Sequence, residues 1–302
     1  MTGRSLMVIE PCGPPEDQCL QDNVAAMRAA GLEVDHEPLL MSTRDRLSWE
    51  GASTRAAHLQ AALLQDASDV LLSARGGYGA SELLHLLDWT RIKRSPWKLL
   101  VGFSDVTAIQ SALYTLAGWP ALHGPMPGSP LWGEGPHIDQ LLSYFDEAGR
   151  MPLRGSLDVD PAAGGELKEH NHQGILFGGC LSVLSGLIGT PYLPSDLSGH
   201  ILFFEDTGES VSRVLRYWRQ WLDSGLLAGV QAVVLGRFTN ADGSATDEAW
   251  LAGQIAERAP CCVYTCQQFG HIPANYPLML GARATLSGRR LSWIFDPQLR
   301  SE

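Results

Sequence analysis

Short apolar runs alternate with amphipathic segments through the first 125 residues, and this alternation restricts the fold more than any other feature of the chain. The apolar runs have the length of buried strands and lie at residues 6–9, 32–34, 70–74 and 99–101. Helical patterns separate them at residues 18–30, 54–64 and 106–113. Such alternation predicts an α/β fold with a parallel sheet covered by helices, in which ligands collect at the carboxyl ends of the strands.

The second half of the chain predicts a further, mixed α/β domain. Its pattern indicates helices at 181–188, 212–224 and 247–258, and strands at 201–204, 232–236 and 263–264. An antiparallel hairpin is expected over residues 282–294, around the Ser287-Gly288 turn. Residues 125–165 are rich in proline, glycine and acids. We therefore predict an N-terminal domain at 1–125, a connecting segment at 126–165 and a C-terminal domain at 166–302.

Composition narrows the classes of partner. Of the 302 residues, 45% are hydrophobic and 18% charged, which is ordinary for a folded globular protein. The formal net charge of -11 and the lack of a basic run argue against a nucleic-acid partner.

The first apolar stretch is too short for a signal peptide or a membrane span, so we expect a cytoplasmic protein. The six cysteines form no C-x-x-C pair, and we expect reduced thiols and no metal site.

The tetrapeptide Gly102-Phe103-Ser104-Asp105 follows one of the apolar runs and precedes a helical pattern. This context is typical of a nucleophilic serine on a tight strand-to-helix turn, with the backbone N–H of Asp105 as a first oxyanion donor. The second glycine of the usual elbow is absent, since Val106 stands there. The alternative is that Ser104 or Asp105 only caps the helix.

A nucleophilic serine needs a base, and the base needs an orienting acid. His271 lies in a loop with glycine and proline after a predicted strand, and His123 is a second candidate because it follows the helix of the serine. Glu205 directly follows the apolar run 201–204, with Asp206 and Glu209 as rivals. The alternative for the two rivals is that they cap the next helix.

Five motifs, in order along residues 5–295, resemble the L,D-carboxypeptidases of peptidoglycan recycling, the muramoyltetrapeptide carboxypeptidases. They are Ala74-Arg75-Gly76-Gly77-Tyr78-Gly79-Ala80 with Leu86-Leu87-Asp88-Trp89, Gly102-Phe103-Ser104-Asp105, Phe177-Gly178-Gly179 with Gly189-Thr190-Pro191-Tyr192, Phe204-Glu205-Asp206-Thr207-Gly208-Glu209, and Gly270-His271-Ile272-Pro273 with Gly281-Ala282-Arg283.

By this resemblance, Ser104 is the nucleophile, His271 the base and Glu205 its partner. The backbone N–H groups of Gly77 and Asp105 would form the oxyanion hole. The resemblance also implies a cytoplasmic homodimer without metal or cofactor that acts on murein peptides. In one departure from relatives, Cys180 stands where asparagine often follows Phe-Gly-Gly.

The activity implied is release of the terminal D-alanine from murein tetrapeptides. An exopeptidase must bind a free carboxylate, and Arg75 is the candidate, with a loop-stabilising salt bridge as its alternative role. Two other functions remain open. One is that of the microcin C immunity peptidases, which cleave a peptidyl or aminoacyl nucleotide amide. The other is a non-catalytic nucleotide- or sugar-binding module that uses the loop 75–79, although this loop lacks P-loop and dinucleotide-binding spacing.

Overall fold

Two sheets form the framework of the protein. The computed structural model describes residues 5–147, 152–162, 171–240, 242, 244 and 246–299. The strands are β1 (Ser5–Ile9), β2 (Glu33–His36), β3 (Val70–Ser73), β4 (Leu99–Gly102), β5 (Ala121–His123), β6 (Leu153–Asp158), β7 (Asp160–Pro161), β8 (Asn171–Cys180), β9 (His200–Thr207), β10 (Ala232–Thr239), β11 (Cys262–Thr265), β12 (Leu278–Leu280), β13 (Arg283–Ser287) and β14 (Arg290–Phe295).

Helices cover the sheets and connect the parallel strands. They are α1 (Asp17–Ala29), α2 (Thr43–Arg46), α3 (Trp49–Leu64), α4 (Ala80–Leu83), α5 (Trp89–Arg94), α6 (Thr107–Ala112), α7 (Pro136–Glu147), α8 (Leu181–Gly186), α9 (Val211–Ser224) and α10 (Glu248–Ala256). Short 3₁₀ segments are formed by Leu84–Leu86, Ser104–Val106 and Pro297–Leu299, and a π-helical turn, Leu113–Ala117, extends α6.

The first sheet has the order β12-β5-β4-β3-β1-β2. Strands β1 to β5 are parallel, as the sequence predicts, and β12 is antiparallel to β5. The second sheet is mixed and has the order β6-β14-β13-β8-β9-β10-β11-β7. The expected α/β class, with a parallel N-terminal sheet and a mixed C-terminal part, is confirmed.

The pairing of strands crosses the domain limits that the sequence predicts. Strand β6 lies within the segment 126–165, which we predicted as the connecting segment, and it pairs with β14. Strand β12 belongs to the second half but pairs with β5. Part of the expected connection, residues 148–151 and 163–165, lies outside the described residues. The domain limits stay a prediction.

Helix α6 brings the two halves together at the carboxyl end of the first sheet. Thr107 Oγ1 accepts a hydrogen bond from the Cys180 N–H over 3.3 Å, and the Ser111 hydroxyl donates to the Tyr192 carbonyl over 2.7 Å. Gly179 must be glycine here, because a Cβ would lie 2.5 Å from Thr107 Cγ2. The start of α6 is therefore held against the end of β8.

Candidate active site

Ser104 lies on a strained turn between β4 and α6. Its φ is 61°, and among the described residues it is the only non-glycine with a positive φ. A serine in this region is disfavoured by contacts of its Cβ, and such strain is concentrated at functional sites. Neither the 3₁₀ segment at Ser104–Val106 nor α6 has a side-chain cap. The capping alternative for Ser104 and Asp105 is therefore wrong.

The glycine loop after β3 lies directly against Ser104. A Cβ on Gly76 would lie 2.8 Å from Ser104 Cβ, 3.0 Å from its Oγ and 3.4 Å from the Asp105 N atom. Only glycine therefore allows this close approach. Gly77, with a φ of 109°, follows in the same loop. The predicted oxyanion donors, the N–H groups of Gly77 and Asp105, thus belong to two neighbouring turns.

Buried polar side chains hold the glycine loop in place. The Asp105 carboxylate accepts a hydrogen bond from the Ala80 N–H over 2.9 Å, and it is 7% exposed. The Arg55 guanidinium, which is also buried, donates to the carbonyls of Pro11 and Gly79 at 2.6 and 3.1 Å. Neither role could be predicted from the sequence, because only the fold brings α3 and the turn after β4 to this loop.

Glu205 and His271 meet at the same end of the molecule. His271 Nδ1 lies 2.6 Å from Glu205 Oε2, and the His271 ring lies on Phe103, with centroids 4.8 Å apart. Phe103 directly precedes Ser104. The loop that carries His271 runs from β11 to β12, and β12 pairs with β5 of the first sheet. This return of the chain brings the histidine to the side of the serine turn.

Burial and pairing have opposite effects on the pKa values of Glu205 and His271. Burial alone raises the pKa of Glu205, but the charge and hydrogen bond of His271 outweigh it, and the pKa is lower than usual. Burial lowers the pKa of His271, whereas the charge and hydrogen bond of Glu205 and the charge of Asp206 raise it, with a net increase. The pair therefore favours a charged carboxylate that stabilises an imidazolium.

The two rival carboxylates have other partners. Asp206 accepts hydrogen bonds from the N–H groups of Ser182 and Thr207, at 2.7 and 2.9 Å. The first of these satisfies an N–H group in the first turn of α8. Burial, followed by the charge of Glu205, raises the pKa of Asp206 to about 6. Glu209 pairs with Arg213 at 2.5 Å. Helix α9 has no side-chain cap, so the expectation that these carboxylates cap it is wrong.

Two further residues singled out in the sequence have other partners. The Arg75 side chain is 40% exposed; it donates to the Pro14 carbonyl over 3.2 Å and lies 4.0 Å from the Glu16 carboxylate. The Cys180 thiol is buried, with Sγ 3.4 Å from Asp206 Oδ1. Cys180 therefore contacts the same carboxylate, Asp206, that bonds to the start of α8.

Among the helices of the described residues, none is both long and apolar enough to cross a bilayer. Within the same residues, no three or more His, Cys, Asp or Glu side chains form a cluster suited to a metal ion.

A serine on a strained strand-to-helix turn, near a histidine bonded to a buried carboxylate, is the arrangement expected of a serine hydrolase. Comparison with known proteins makes the class specific. Residues 6–124 match the LD-carboxypeptidase N-terminal domain, and residues 173–286 match the LD-carboxypeptidase C-terminal domain. The chain belongs to the LD-carboxypeptidase family, as the motifs of the sequence indicate.

Individual relatives agree with this assignment. A protein from Streptomyces coelicolor is 33% identical over 245 residues, which cover 80% of this chain and 76% of the relative. The murein tetrapeptide carboxypeptidase of Pseudomonas aeruginosa is 31% identical over 226 residues, 72% of each chain.

Solved structures show the same fold. The muramoyltetrapeptide carboxypeptidase from Oxalobacter formigenes has a TM-score of 0.78 and 27% identity, over 97% of this chain and 99% of that one. The microcin C7 self immunity protein MccF, in complex with aspartyl sulfamoyl adenosine, has a TM-score of 0.80 over 98% and 97% of the two chains. Its identity is 18%, so this likeness concerns the fold alone.

Proposed function

We propose that this protein is a serine L,D-carboxypeptidase that releases the terminal D-alanine from murein tetrapeptides. Ser104 is the nucleophile, His271 the general base and Glu205 the acid that orients it. The observation that carries this proposal is the 2.6 Å hydrogen bond of Glu205 to His271, whose ring lies on the residue next to Ser104. The name of the Pseudomonas aeruginosa relative supports the substrate.

The residues support a two-step acyl transfer. His271 Nε2 takes the proton of Ser104 while Oγ forms a bond to the carbonyl carbon of the L-centre. The N–H groups of Gly77 and Asp105 stabilise the tetrahedral oxyanion. When this intermediate collapses, the C–N bond breaks and the imidazolium returns the proton to the leaving D-alanine amine. Water, activated by the same imidazole, then releases the acyl group from Ser104.

Arg75 is our candidate for recognition of the terminal carboxylate of the substrate. It follows β3 and precedes the glycine loop that meets Ser104. Its side chain is 40% exposed and its distance to Glu16 is 4.0 Å, so the pair with Glu16 is loose. A guanidinium can therefore exchange this partner for a bidentate carboxylate of the substrate.

We expect Arg75→Gln to lower kcat/KM for the free tetrapeptide by about 10- to 100-fold, the range for loss of a charge-assisted hydrogen bond. The matched control is the same peptide with a C-terminal amide, which carries no charge for Arg75 to bind. Arg75→Gln should change kcat/KM for the amide by less than about threefold. Equal losses on both peptides would assign Arg75 to the alternative, a loop-stabilising salt bridge.

The cellular setting is part of the proposal. We infer a cytoplasmic homodimer, as the resemblance to enzymes of peptidoglycan recycling implies. Light scattering after size-exclusion chromatography tests the dimer, and fractionation of the native cells tests the compartment.

A fluorophosphonate probe tests the serine chemistry. The probe should label Ser104, and mass spectrometry of the digested protein should identify the adduct. Incubation with murein tetrapeptide and with an aminoacyl sulfamoyl nucleotide then separates the two peptidase functions by product. Cleavage of the nucleotide amide alone would favour the immunity-type activity. No label and no cleavage would favour a binding module.

The stereochemistry of the scissile bond gives a sharp prediction. An L,D-peptidase places the acyl carbonyl on an L-residue and the leaving amine on a D-residue. An L-alanine held through the same carboxylate and amine would direct its methyl group into the wall of the site, and a shift near 1 Å costs about 10²-fold in rate. The tetrapeptide ending in D-alanine should therefore be cleaved at least about 100-fold faster than its L-alanine epimer.

The D-Ala-D-Ala pentapeptide is the control, because its terminal bond is D,D. It should be nearly inert. The measurement is kcat/KM for each of the three peptides. Similar values for all three would contradict L,D-specificity and would indicate a serine hydrolase of another specificity.

A further inference from the structure

Three buried polar atoms near the Glu205–His271 pair have no hydrogen-bond partner within the described part of the chain. They are the second carboxylate oxygen of Glu205, Oε1, and both ring nitrogens of His123. Both residues are completely buried. Buried polar atoms in folded proteins nearly always have a partner, which is a protein group or an ordered water. The two orphaned groups are therefore suited to each other if they lie close together.

Ring contacts place His123 close to Glu205. The His123 ring contacts Phe203, with centroids 5.4 Å apart, and Phe203 lies two residues before Glu205 on β9. Side chains alternate along a strand, so Phe203 and Glu205 lie on the same face. Each of the two polar groups also affects the pKa of the other through its charge.

A second set of contacts places His123 beside the serine turn. Its ring lies 5.6 Å from that of Phe103, whose other neighbour is the His271 ring at 4.8 Å. In the first sheet His123 pairs with Gly102, which begins the turn to Ser104. His123 is thus packed behind the proposed catalytic groups, where it is shielded from solvent.

The charge states of the two groups suit a hydrogen bond. Burial lowers the pKa of His123 to about 4, although the charge of Glu205 acts to raise it. The imidazole is therefore neutral at neutral pH and has one N–H donor. Glu205, which His271 keeps ionised, offers an anionic acceptor at Oε1.

We propose that His123 donates a hydrogen bond to Glu205 Oε1 through one buried water, and thereby fixes the carboxylate in the orientation in which Oε2 faces His271. His123 is a positioning residue, since it acts through Glu205. The role in catalysis rests on the proposed triad, whereas the hydrogen bond itself does not.

The hydrogen bond has a consequence for proton uptake by the Glu205–His271 pair. Uptake of one proton changes the net charge of the pair from −1 to 0, whichever residue carries the proton. A donor to Oε1 stabilises the carboxylate in both forms, but it stabilises the −1 form more, because the imidazolium of the neutral form opposes the dipole of the donor. Its removal should therefore raise the pKa at which the pair takes up a proton.

Two other titratable groups lie close enough to the pair for their charge to matter. The charge of Asp206 raises the pKa of His271, and the buried Cys180 thiol, whose pKa burial raises, stays neutral. Both groups are retained in every variant of His123, so they do not change the expected direction of the pKa shift of the pair.

The substitution His123→Phe removes both ring nitrogens and keeps an aromatic ring against Phe103 and Phe203. We expect kcat to fall by about 10- to 100-fold, as for loss of an outer hydrogen bond to a catalytic group, with KM within about twofold. The acid limb of the kcat/KM profile should move up by about half a pH unit or more. His123→Asn and His123→Gln return an N–H donor at the positions of Nδ1 and Nε2, and one of them should recover most of the loss.

The matched control is His137→Phe. His137 is also buried, but its partners are the Trp132 carbonyl and the ring of Tyr276. This variant should keep the acid limb of the wild-type protein.

NMR titration of His271 in ¹³C-histidine-labelled protein tests the hydrogen bond without substrate. The same upward shift in His123→Phe supports the proposal even if no peptide is cleaved, in which case the proposed function alone fails. An unchanged or lower midpoint overturns it, as does a fall in kcat that neither amide variant recovers. If His123→Phe does not fold, a high-resolution crystal structure of the wild-type protein tests the proposal, which requires one ordered water bonded to both His123 and Glu205 Oε1.

Discussion

Substitution of Ser104 by alanine should lower kcat for the murein tetrapeptide by roughly 10⁴- to 10⁶-fold, the range for loss of the nucleophile in other serine hydrolases. The physical reason is that the hydroxyl on this turn is the atom that forms the acyl-enzyme. Alanine retains the Cβ and the same backbone strain at a φ of 61°, so the melting temperature should change little. Measurement of D-alanine release under single-turnover conditions gives the residual rate.

Ser73→Ala is a matched control for this substitution. Ser73 is a buried serine at the end of β3, and its hydroxyl has no partner within the described residues. Removal of that hydroxyl should leave turnover within about threefold of wild type. A Ser104→Ala variant that keeps more than about a tenth of the wild-type kcat would exclude the serine mechanism.

Much of the framework could be predicted from sequence because its strands are buried on both faces. Strands β3 and β4 each have three apolar residues followed by a serine or a glycine, and all their residues are buried. The turn to Ser104 could be predicted for a related reason, since a glycine and a serine follow such a run and precede a helix. Helix α3 begins at Trp49, five residues before the start indicated by the pattern, where Ser48 accepts a hydrogen bond from the Gly51 N–H.

Contacts between distant segments could not be predicted from local patterns. The pairing of β12 with β5, which brings the His271 loop to the first sheet, depends on an apolar run of three residues, which is too short for a periodic pattern. The choice of Glu205 over Asp206 came from the family resemblance, because both carboxylates follow the same apolar run. The structure separates them: Glu205 bonds to His271, and Asp206 bonds to the start of α8.

Asp105 illustrates how one residue can be interpreted wrongly by a local rule. An aspartate at the start of a helix usually caps it. Here the backbone of the preceding Ser104 has a positive φ, and the Asp105 carboxylate instead accepts a hydrogen bond from the N–H of Ala80, which begins α4 directly after the glycine loop. The side chain therefore stabilises the loop while its N–H remains the predicted oxyanion donor.

The second large effect is expected for Glu205→Gln, which should lower kcat by about 10³- to 10⁴-fold. The carboxylate accepts the Nδ1–H of His271 and so leaves the Nε2 lone pair for the proton of Ser104. A glutamine amide can donate to Nδ1 and favour the opposite tautomer, and it provides no negative charge for the imidazolium. Since the charge of Glu205 raises the pKa of His271, the acid limb of the remaining activity should move to lower pH.

The neighbouring carboxylates provide the controls for Glu205→Gln. Glu209→Gln removes the ion pair with Arg213 and changes the acceptor of the Tyr217 hydroxyl, and turnover should stay within about threefold of wild type. Asp206→Asn keeps only one of the two oxygens that accept hydrogen bonds from the Ser182 and Thr207 N–H groups. We therefore expect a lower melting temperature and only a small change in kcat.

The direction of the pH shift distinguishes the two variants best, because Glu205→Gln should move the acid limb to lower pH and His123→Phe should move it to higher pH. A silent Glu205→Gln together with a large loss in Glu209→Gln would transfer the orienting role to Glu209 and contradict the triad proposed here.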